Sequence, residues 1–364
     1  ATTGLSVANL NQETAGFIQG PQAYKDKSLA KQNPNPEAFR DSRSARIYSR
    51  LERPLKAGKL VLTPYARDTK MTFIQHYLPG QALEENAHTS IGIQSAWYKD
   101  RWTVGADFEV TEGDLREYQP DPTAGSDFLV ATIPAGEHYN YQVDANTQAL
   151  FARYQWPLTD ATKLTAGARW ERVQYDYDNL MLTGRTRDDG TTCARGGCRF
   201  SRPADRQDTF SNLSPQLGLT HFITAEQQLY ANLSRGFRAP QTSELYRLQG
   251  GQEVTDIDVV QLDSLELGIR GGGTDWSYDA SLYAMKKSNV IFRDSDSFNV
   301  DNAKTRHRGL ELTLSKNLNE QLTTNIFWSY ARHQYANEPE PLERQINGND
   351  IDTAPRQMGS ANVQ

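Results

Sequence analysis

The chain lacks any run approaching the roughly 18 consecutive apolar residues that a membrane-spanning helix needs. That excludes a helical membrane protein but leaves a β-barrel open, because a barrel strand needs apolar residues only at alternate positions. Cysteine is scarce: Cys193 and Cys198 are the only two in 364 residues. A zinc site would need two more ligands nearby and none is there, so a small loop disulfide facing an oxidising compartment is the expected pairing. Basic runs are missing and the net charge is −6, which argues against a nucleic-acid surface. The opening residues Ala1-Thr2-Thr3-Gly4-Leu5 carry neither the charged nor the apolar part of a signal peptide. There is no G-x-S-x-G elbow, P-loop, H-E-x-x-H or G-x-G-x-x-G. The histidines (His76, His88, His138, His221, His307, His333) are scattered, with no pair at metal-ligand spacing. No catalytic residue, metal site or cofactor is expected, and an outer-membrane protease or phospholipase is a poor reading.

Against these absences stand 17 Tyr, 13 Phe and 26 Gly, a composition suited to strands and turns. Mean hydropathy is −0.70, the value of a soluble protein or of a chain whose apolar residues alternate with polar ones. Alternation is what the sequence shows. Trp102, Val104, Ala106, Phe108 and Val110 interleave with Thr103, Gly105, Asp107 and Glu109. Leu164, Ala166, Ala168 and Trp170 do so with Thr165, Gly167, Arg169 and Glu171, and Leu265, Leu267 and Ile269 with Ser264, Glu266, Gly268 and Arg270. The same rhythm recurs at 276–284 and 309–315. After Trp170 the apolar parity shifts to Val173, Tyr175 and Tyr177, through either a bulge or a strand end beyond the bilayer.

The pattern predicts about thirteen strands, near residues 45–52, 60–68, 88–98, 101–111, 139–156, 163–178, 209–222, 228–237, 262–271, 276–287, 304–315, 321–335 and 353–364. Short connections at 99–101, 224–227, 271–275 and 317–320 alternate with long ones at 69–87, 112–138, 179–208, 238–261, 288–303 and 336–352. Tight turns at one end and long loops at the other are the layout of an outer-membrane barrel, with periplasmic turns and extracellular loops. A soluble antiparallel sandwich shares the alternation. Its strands, however, average roughly five or six residues, and loops beyond about 12–15 residues are uncommon in it.

Four segments resemble the barrel region of TonB-dependent receptors, the family that imports ferric siderophores, haem and vitamin B12. Leu229-Tyr230-Ala231-Asn232-Leu233-Ser234-Arg235-Gly236-Phe237-Arg238-Ala239-Pro240, followed by Glu244-Leu245-Tyr246, is similar to the family's "S-x-G-F-R-A-P…E-L-Y" strand. Leu262 to Gly268 resembles its "E-x-S-x-x-x-E-L-G" strand, Asn302 to Leu312 its "N-x-x-x-x-x-x-G-x-E" strand, and Thr353-Ala354-Pro355-Arg356 its "x-x-P-R/H" strand start. The four fall in order over residues 209–364; the earlier strands fit by rhythm. Structural roles are expected for these phrases. Gly236 and Gly309 would permit tight packing or a bulge, Pro240 would end a ladder, and Glu311 and Arg270 would face the lumen.

The resemblance implies an all-β transmembrane barrel of twenty-two strands behind a plug domain that contacts TonB. Residues 1–364 would supply roughly the sixth to the eighteenth strand, without the plug or the closing strands. Such a piece would be an open sheet with edges at 45–52 and 353–364, unable to transport by itself. The function implied is outer-membrane active transport of a scarce metal complex, an iron-siderophore first, in a Gram-negative bacterium. Its partners would be membrane lipid and lipopolysaccharide, the metal-chelate ligand, and TonB through the plug. A passive porin- or adhesin-type barrel is the alternative, and a soluble carbohydrate-binding β protein a third reading. Capture would fall to loops. Arg238, Tyr246 and Arg247 are the candidate ligand-binding residues, because guanidinium groups beside aromatic rings suit anionic ferric chelates. The 179–208 loop adds Arg185, Arg187, Arg195, Arg199, Arg202 and Arg206, unless these pair with Asp188, Asp189, Asp205 and Asp208 or touch lipopolysaccharide phosphates.

Overall fold

In the computed structural model, which describes residues 1–294, 297–339 and 345–364, the alternating segments join into one antiparallel sheet of 14 strands. In chain order the strands are β1 (Thr2–Glu13), β2 (Phe39–Leu55), β3 (Gly58–Ile74), β4 (Leu83–Lys99), β5 (Trp102–Gln119), β6 (Gly136–Pro157), β7 (Thr162–Asn179) and β8 (Phe200–Ser201). They continue with β9 (Arg206–Phe222), β10 (Gln227–Arg238), β11 (Leu248–Gln249), β12 (Val260–Gly272), β13 (Trp276–Arg293), β14 (Asn299–Asn319), β15 (Leu322–Tyr335) and β16 (Gln357–Val363). β8 and β11 form a small pair of their own; all others lie in sequence order in the large sheet. Two short helices, α1 (Asp127–Thr132) and α2 (Thr242–Tyr246), sit in connections at the long-loop end.

The sheet is open among the described residues. β1 pairs with β2, β16 pairs with β15, and no ladder joins residues 45–52 to β16. The open sheet matches the expectation, but one edge lies elsewhere. Residues 45–52 sit inside β2, paired on both sides, and the edge strand is β1, which the sequence reading did not include. Leu5 and Val7 alternate correctly there, but Leu10 falls out of phase, so the period is too short to recognise.

Two expected long loops also shrink. The connection read at 69–87 is only 75–82, because β3 and β4 continue with polar residues such as Lys70, Thr72, Glu85 and Asn86 interrupting the apolar alternation. The one read at 288–303 is mostly strand; of it, residues 295–296 lie outside the described residues. Register shifts between Lys287, Val290 and Phe292, with Asn289 at φ 53°, mark a bulge that scrambles the alternation. Residues 340–344 of the 336–352 loop likewise lie outside the described residues.

The outward face is apolar and unpacked. Leu265 and Leu267 are 44% and 49% exposed, with no second sheet against them, which is the arrangement lipid requires. Trp102, Tyr154 and Trp156 cluster on this face at the short-turn end, with successive ring centroids 4.5 Å apart, and Trp276 stacks on Tyr278 at the same level. Such a belt suits the headgroup region, where an aromatic ring has one apolar and one wet side. Trp170 and Trp328 are exposed further along their strands.

The inward face carries ion pairs: Arg67 with Glu109 at 2.7 Å, and Arg169 with Asp107 and Glu171 at 2.6 and 2.7 Å. Arg270 stacks over Tyr230, as a lumen position allows. Tyrosines lie flat across directly opposed glycines here: Tyr230 over Gly268 and Tyr283 over Gly309. A Cβ at Gly309 would come within 2.5 Å of the Tyr283 ring, so tight packing, with no bulge, is the reason for glycine at this point. Gly236 has open space around its missing Cβ and no such neighbour.

Candidate functional site

At the long-loop end the inner face changes character. β6 and β7 pair without any register shift from Pro157↔Lys163 to Tyr141↔Asn179, so the parity change after Trp170 is not a bulge. Val173, Tyr175 and Tyr177 are on the same inward face as Arg169 and Glu171. They have become apolar because loops fold over them. Tyr139, Tyr141, Val143, Tyr177, Phe200, Leu245, Tyr246, Ile257, Cys193 and Cys198 form one buried cluster. It roofs the lumen from inside the strand ends.

The segment after β10 supplies the centre of this roof. Pro240, with no N–H to offer, follows the end of the ladder. The Gln241 backbone N–H donates to Glu244 Oε2 at 2.7 Å at the start of α2, and Arg238 clasps both Glu244 oxygens at 2.7 and 2.9 Å. The phrase Arg238-Ala239-Pro240 … Glu244-Leu245-Tyr246 is therefore a fold instruction: it turns the chain inward and seats the last two residues. Tyr246 is 0% exposed, stacks on Tyr177 at 4.2 Å and donates its hydroxyl to Asp208 Oδ2 at 2.8 Å. Burial and the Asp208 carboxylate both push the Tyr246 phenol well above its ordinary pKa.

Arg247 reaches across the mouth. Its guanidinium donates to Glu84 Oε2 at 2.9 Å and Gln75 Oε1 at 3.0 Å, and also meets Glu117. His138 Nδ1 donates to Glu117 Oε1 at 3.0 Å, and Gln75 donates to Glu84 at 2.5 Å. Burial opposes the Arg247 charge, but the Glu117 and Glu84 carboxylates outweigh it and hold the guanidinium above its usual pKa. The loop after β10 is thus tied by charge to the ends of β3, β4 and β5.

The 180–205 connection completes the roof. Cys193 and Cys198 are bonded to each other and buried within the cluster, rather than standing at an exposed loop tip. Arg202 is buried and donates to the carbonyl oxygens of Leu182, His138 and Thr186 at 2.7–3.0 Å, and burial lowers its pKa. Arg206 pairs with Asp208 at 2.5 Å, and Arg185 donates to the Cys198 carbonyl at 2.9 Å. Asp188, Asp189 and Asp205 accept from backbone N–H groups.

Among the loops of this roof lies a cavity of about 490 Å³, lined by Arg199, Arg247, Arg293, Glu117, Tyr139 and Phe200 among others. Arg247 is neutralised by its carboxylates. Arg199 and Arg293 form no ion pair among the described residues; Arg293 reaches only the Asn299 amide oxygen and the Arg247 carbonyl. Of the residues singled out from sequence, Arg199 and Arg247 border this cavity, Arg238 lies outside it, and Tyr246 is enclosed by protein. Arg293 was hidden in the segment read as a loop. Glu84, Glu117, Gln75 and His138 gave no local signal, because each matters through partners far along the chain.

Two of the scattered histidines are neighbours in space. His307 and His333 are 26 residues apart in sequence, yet the β14–β15 register sets them directly opposite, with Nδ1 atoms 2.8 Å apart.

A family model described as "TonB dependent receptor-like, beta-barrel" matches residues 9–364. Among curated proteins, the vitamin B12 transporter BtuB of Photobacterium profundum is 23% identical over 274 residues, covering 70% of this chain and 42% of its own length. Among solved structures, the ferric yersiniabactin uptake receptor FyuA of Yersinia pestis superposes with a TM-score of 0.65 at 14% identity, over 90% of this chain and 47% of that one. The ferric-catecholate import receptor Fiu of E. coli gives 0.68 at 13%, over 100% and 59%. The chain thus spans about half the length of the relatives it matches, and at these identities the structures speak for the fold alone.

Proposed function

The chain belongs to the TonB-dependent receptor-like β-barrel family, and from that premise we propose that it forms barrel wall and ligand-capturing mouth in an active-transport receptor for a scarce metal complex, an iron-siderophore before others. Proteins of this family are outer-membrane receptors of Gram-negative bacteria, so the lipid facing Leu265 and Leu267 is that of the outer membrane. In this reading residues 1–364 all belong to the barrel domain. The plug, which TonB would pull, and the closing strands belong to the remainder of the receptor. The chain carries recognition and no bond-making chemistry.

The observation that carries the reading is the cavity among the roof's loops, where Arg199 and Arg293 stand without carboxylate partners among the described residues, beside Tyr139 and Phe200. An anionic chelate with planar aromatic or carboxylate arms complements such a wall. Arg247 is proposed as a contact at the cavity edge. Arg238 and Tyr246 are proposed as positioning residues that hold α2. The passive-pore alternative is disfavoured by a roof bonded across the mouth. A cobalt corrinoid is the second reading, supported by the 23% likeness to a vitamin B12 transporter.

The test is a binding titration of the complete receptor in detergent against ferric catecholate, ferric hydroxamate, ferric citrate and cobalamin. The expected result is tight binding of an anionic iron complex, weakened at least about tenfold by Arg199→Ala with Arg293→Ala, since each charge-assisted bond contributes roughly 1.5–3 kcal/mol. Binding of cobalamin alone would favour the corrinoid reading. Binding of none, together with steady ion conductance in a planar bilayer, would return the molecule to the porin class.

A further inference from the structure

On the lumen face of β13, β14 and β15, three side chains stand side by side in one row. Met285 is directly opposite His307, and His307 directly opposite His333. Opposed residues on adjacent antiparallel strands have Cα atoms about 4.5–5.5 Å apart, so the three share one small patch of wall. All three have the inward parity of Glu311 and Tyr283, and all are half-buried. The two imidazoles approach edge to edge: Nδ1 to Nδ1 is 2.8 Å, with ring centroids 5.1 Å apart and the planes tilted by 53°. On the far side of His307, Nε2 is 2.9 Å from the hydroxyl of buried Thr305.

We propose that this row is a binding site for a borderline-to-soft transition-metal ion, copper before the others, held by His307 Nδ1 and His333 Nδ1 with the Met285 thioether alongside. Two nitrogens each about 2.0 Å from one metal are about 2.8 Å apart when they subtend a right angle, the angle of a tetragonal copper(II) or nickel(II) site. The observed spacing is that chord. Thr305 supplies the support that such a ligand needs: with Nε2–H of His307 donated to its hydroxyl, the lone pair of His307 is left on Nδ1, facing His333. In the metal-free pair, His333 donates its Nδ1–H to that lone pair. On metal uptake this proton moves to Nε2 of His333, so both rings stay neutral and both Nδ1 lone pairs meet the ion.

The surroundings set the selectivity. Among the described residues no group of three or more His, Cys, Asp or Glu could hold a metal, so the pair is not reinforced by carboxylates. Lys287, opposite Thr305, puts an ammonium nearby. Calcium and magnesium, which need several oxygen ligands, find nothing here. A metal with strong affinity for imidazole can repay the unfavourable field, and copper heads that order. Met285 adds a ligand suited to the reduced ion.

The site does not rest on the reading of chelate capture, and its test needs neither TonB nor transport. The complete receptor in detergent is titrated with Cu2+, Ni2+, Zn2+ and Ca2+, and the copper form is examined by electron paramagnetic resonance. One Cu2+ per receptor is expected, held more tightly than Ni2+ or Zn2+, with hyperfine coupling from two imidazole nitrogens and no Ca2+ binding. His307→Gln or His333→Gln should weaken Cu2+ at least about tenfold while the variants keep the barrel's heat-resistant migration in gels. Met285→Leu should leave Cu2+ affinity nearly unchanged and weaken Cu+. Absence of Cu2+ binding by the parent, or unchanged affinity in the double His variant, overturns the proposal. Should the His variants fail to fold, the parent spectrum decides: couplings from two imidazoles sustain the site, and their absence removes it.

Discussion

At the short-turn end, the outer face carries Trp102, Tyr154 and Trp156 while the inner face carries charges paired across strands. At the long-loop end the same strands turn Tyr139, Tyr141 and Tyr177 inward and pack them around Tyr246. The pairing is continuous from one end to the other, so the backbone does not mark the boundary. What differs is the medium each face meets. Below, lipid selects the outward residues and water the inward ones; above, folded loops replace the water. The lower region is held by its ladder and by the bilayer. The upper one is a small globular core, with a disulfide and a buried charge network of its own.

The comparison is broken most severely by removing Arg247. Arg247→Met should leave Glu84 and Glu117 buried without their cation, a loss of about 3–5 kcal/mol for a severed buried pair. Hydrogen exchange should quicken across residues 239–259 while amides of β12 and β13 keep their protection; equal loss in both would show that roof and barrel are one cooperative unit. The complementary change is Leu267→Arg on the lipid face, which should cost about 2–4 kcal/mol in urea unfolding from vesicles. The roof should be untouched by it, and a neutral effect would deny that this face meets lipid. Smallest is the disulfide. Replacing Cys193 and Cys198 with serine opens a short ring and should cost about 2 kcal/mol of roof stability. Barrel migration in gels should stay the same and exchange in 180–205 should rise; unchanged exchange would mean that packing alone holds the loop.

The lower region was legible in the sequence and the upper one was not. Leu265, Leu267 and Ile269 announce a strand because lipid imposes one rule on every second residue. Where strands leave the bilayer that rule lapses. In residues 69–74 of β3 the outward positions turn polar (Lys70, Thr72) and the apolar ones inward (Met71, Phe73), so the segment read as loop, and the bulge at Asn289 erased the alternation of β13. The roof depends on contacts between residues far apart in the chain. Arg247 meets Gln75, 172 positions earlier, and nothing local to either predicts the bond. The cysteines were recognisable as a pair from spacing, but not as part of a core. His307 and His333 became neighbours only once the hairpin register was known.

The strands outrun the membrane. β6 has 22 residues, whereas crossing a bilayer takes about 9–11. Roughly half of it therefore stands clear of the lipid as sheet, with its neighbours beside it. A phage tail or an antibody arriving from outside would meet a rigid palisade before it reached the lumen. On such a palisade a foothold is stable in shape, and each change of residue is screened by the strand next to it. Variation that evades recognition would then gather in the segments joining the palisade's tops, 14–38 foremost, where no strand of the sheet has to be kept.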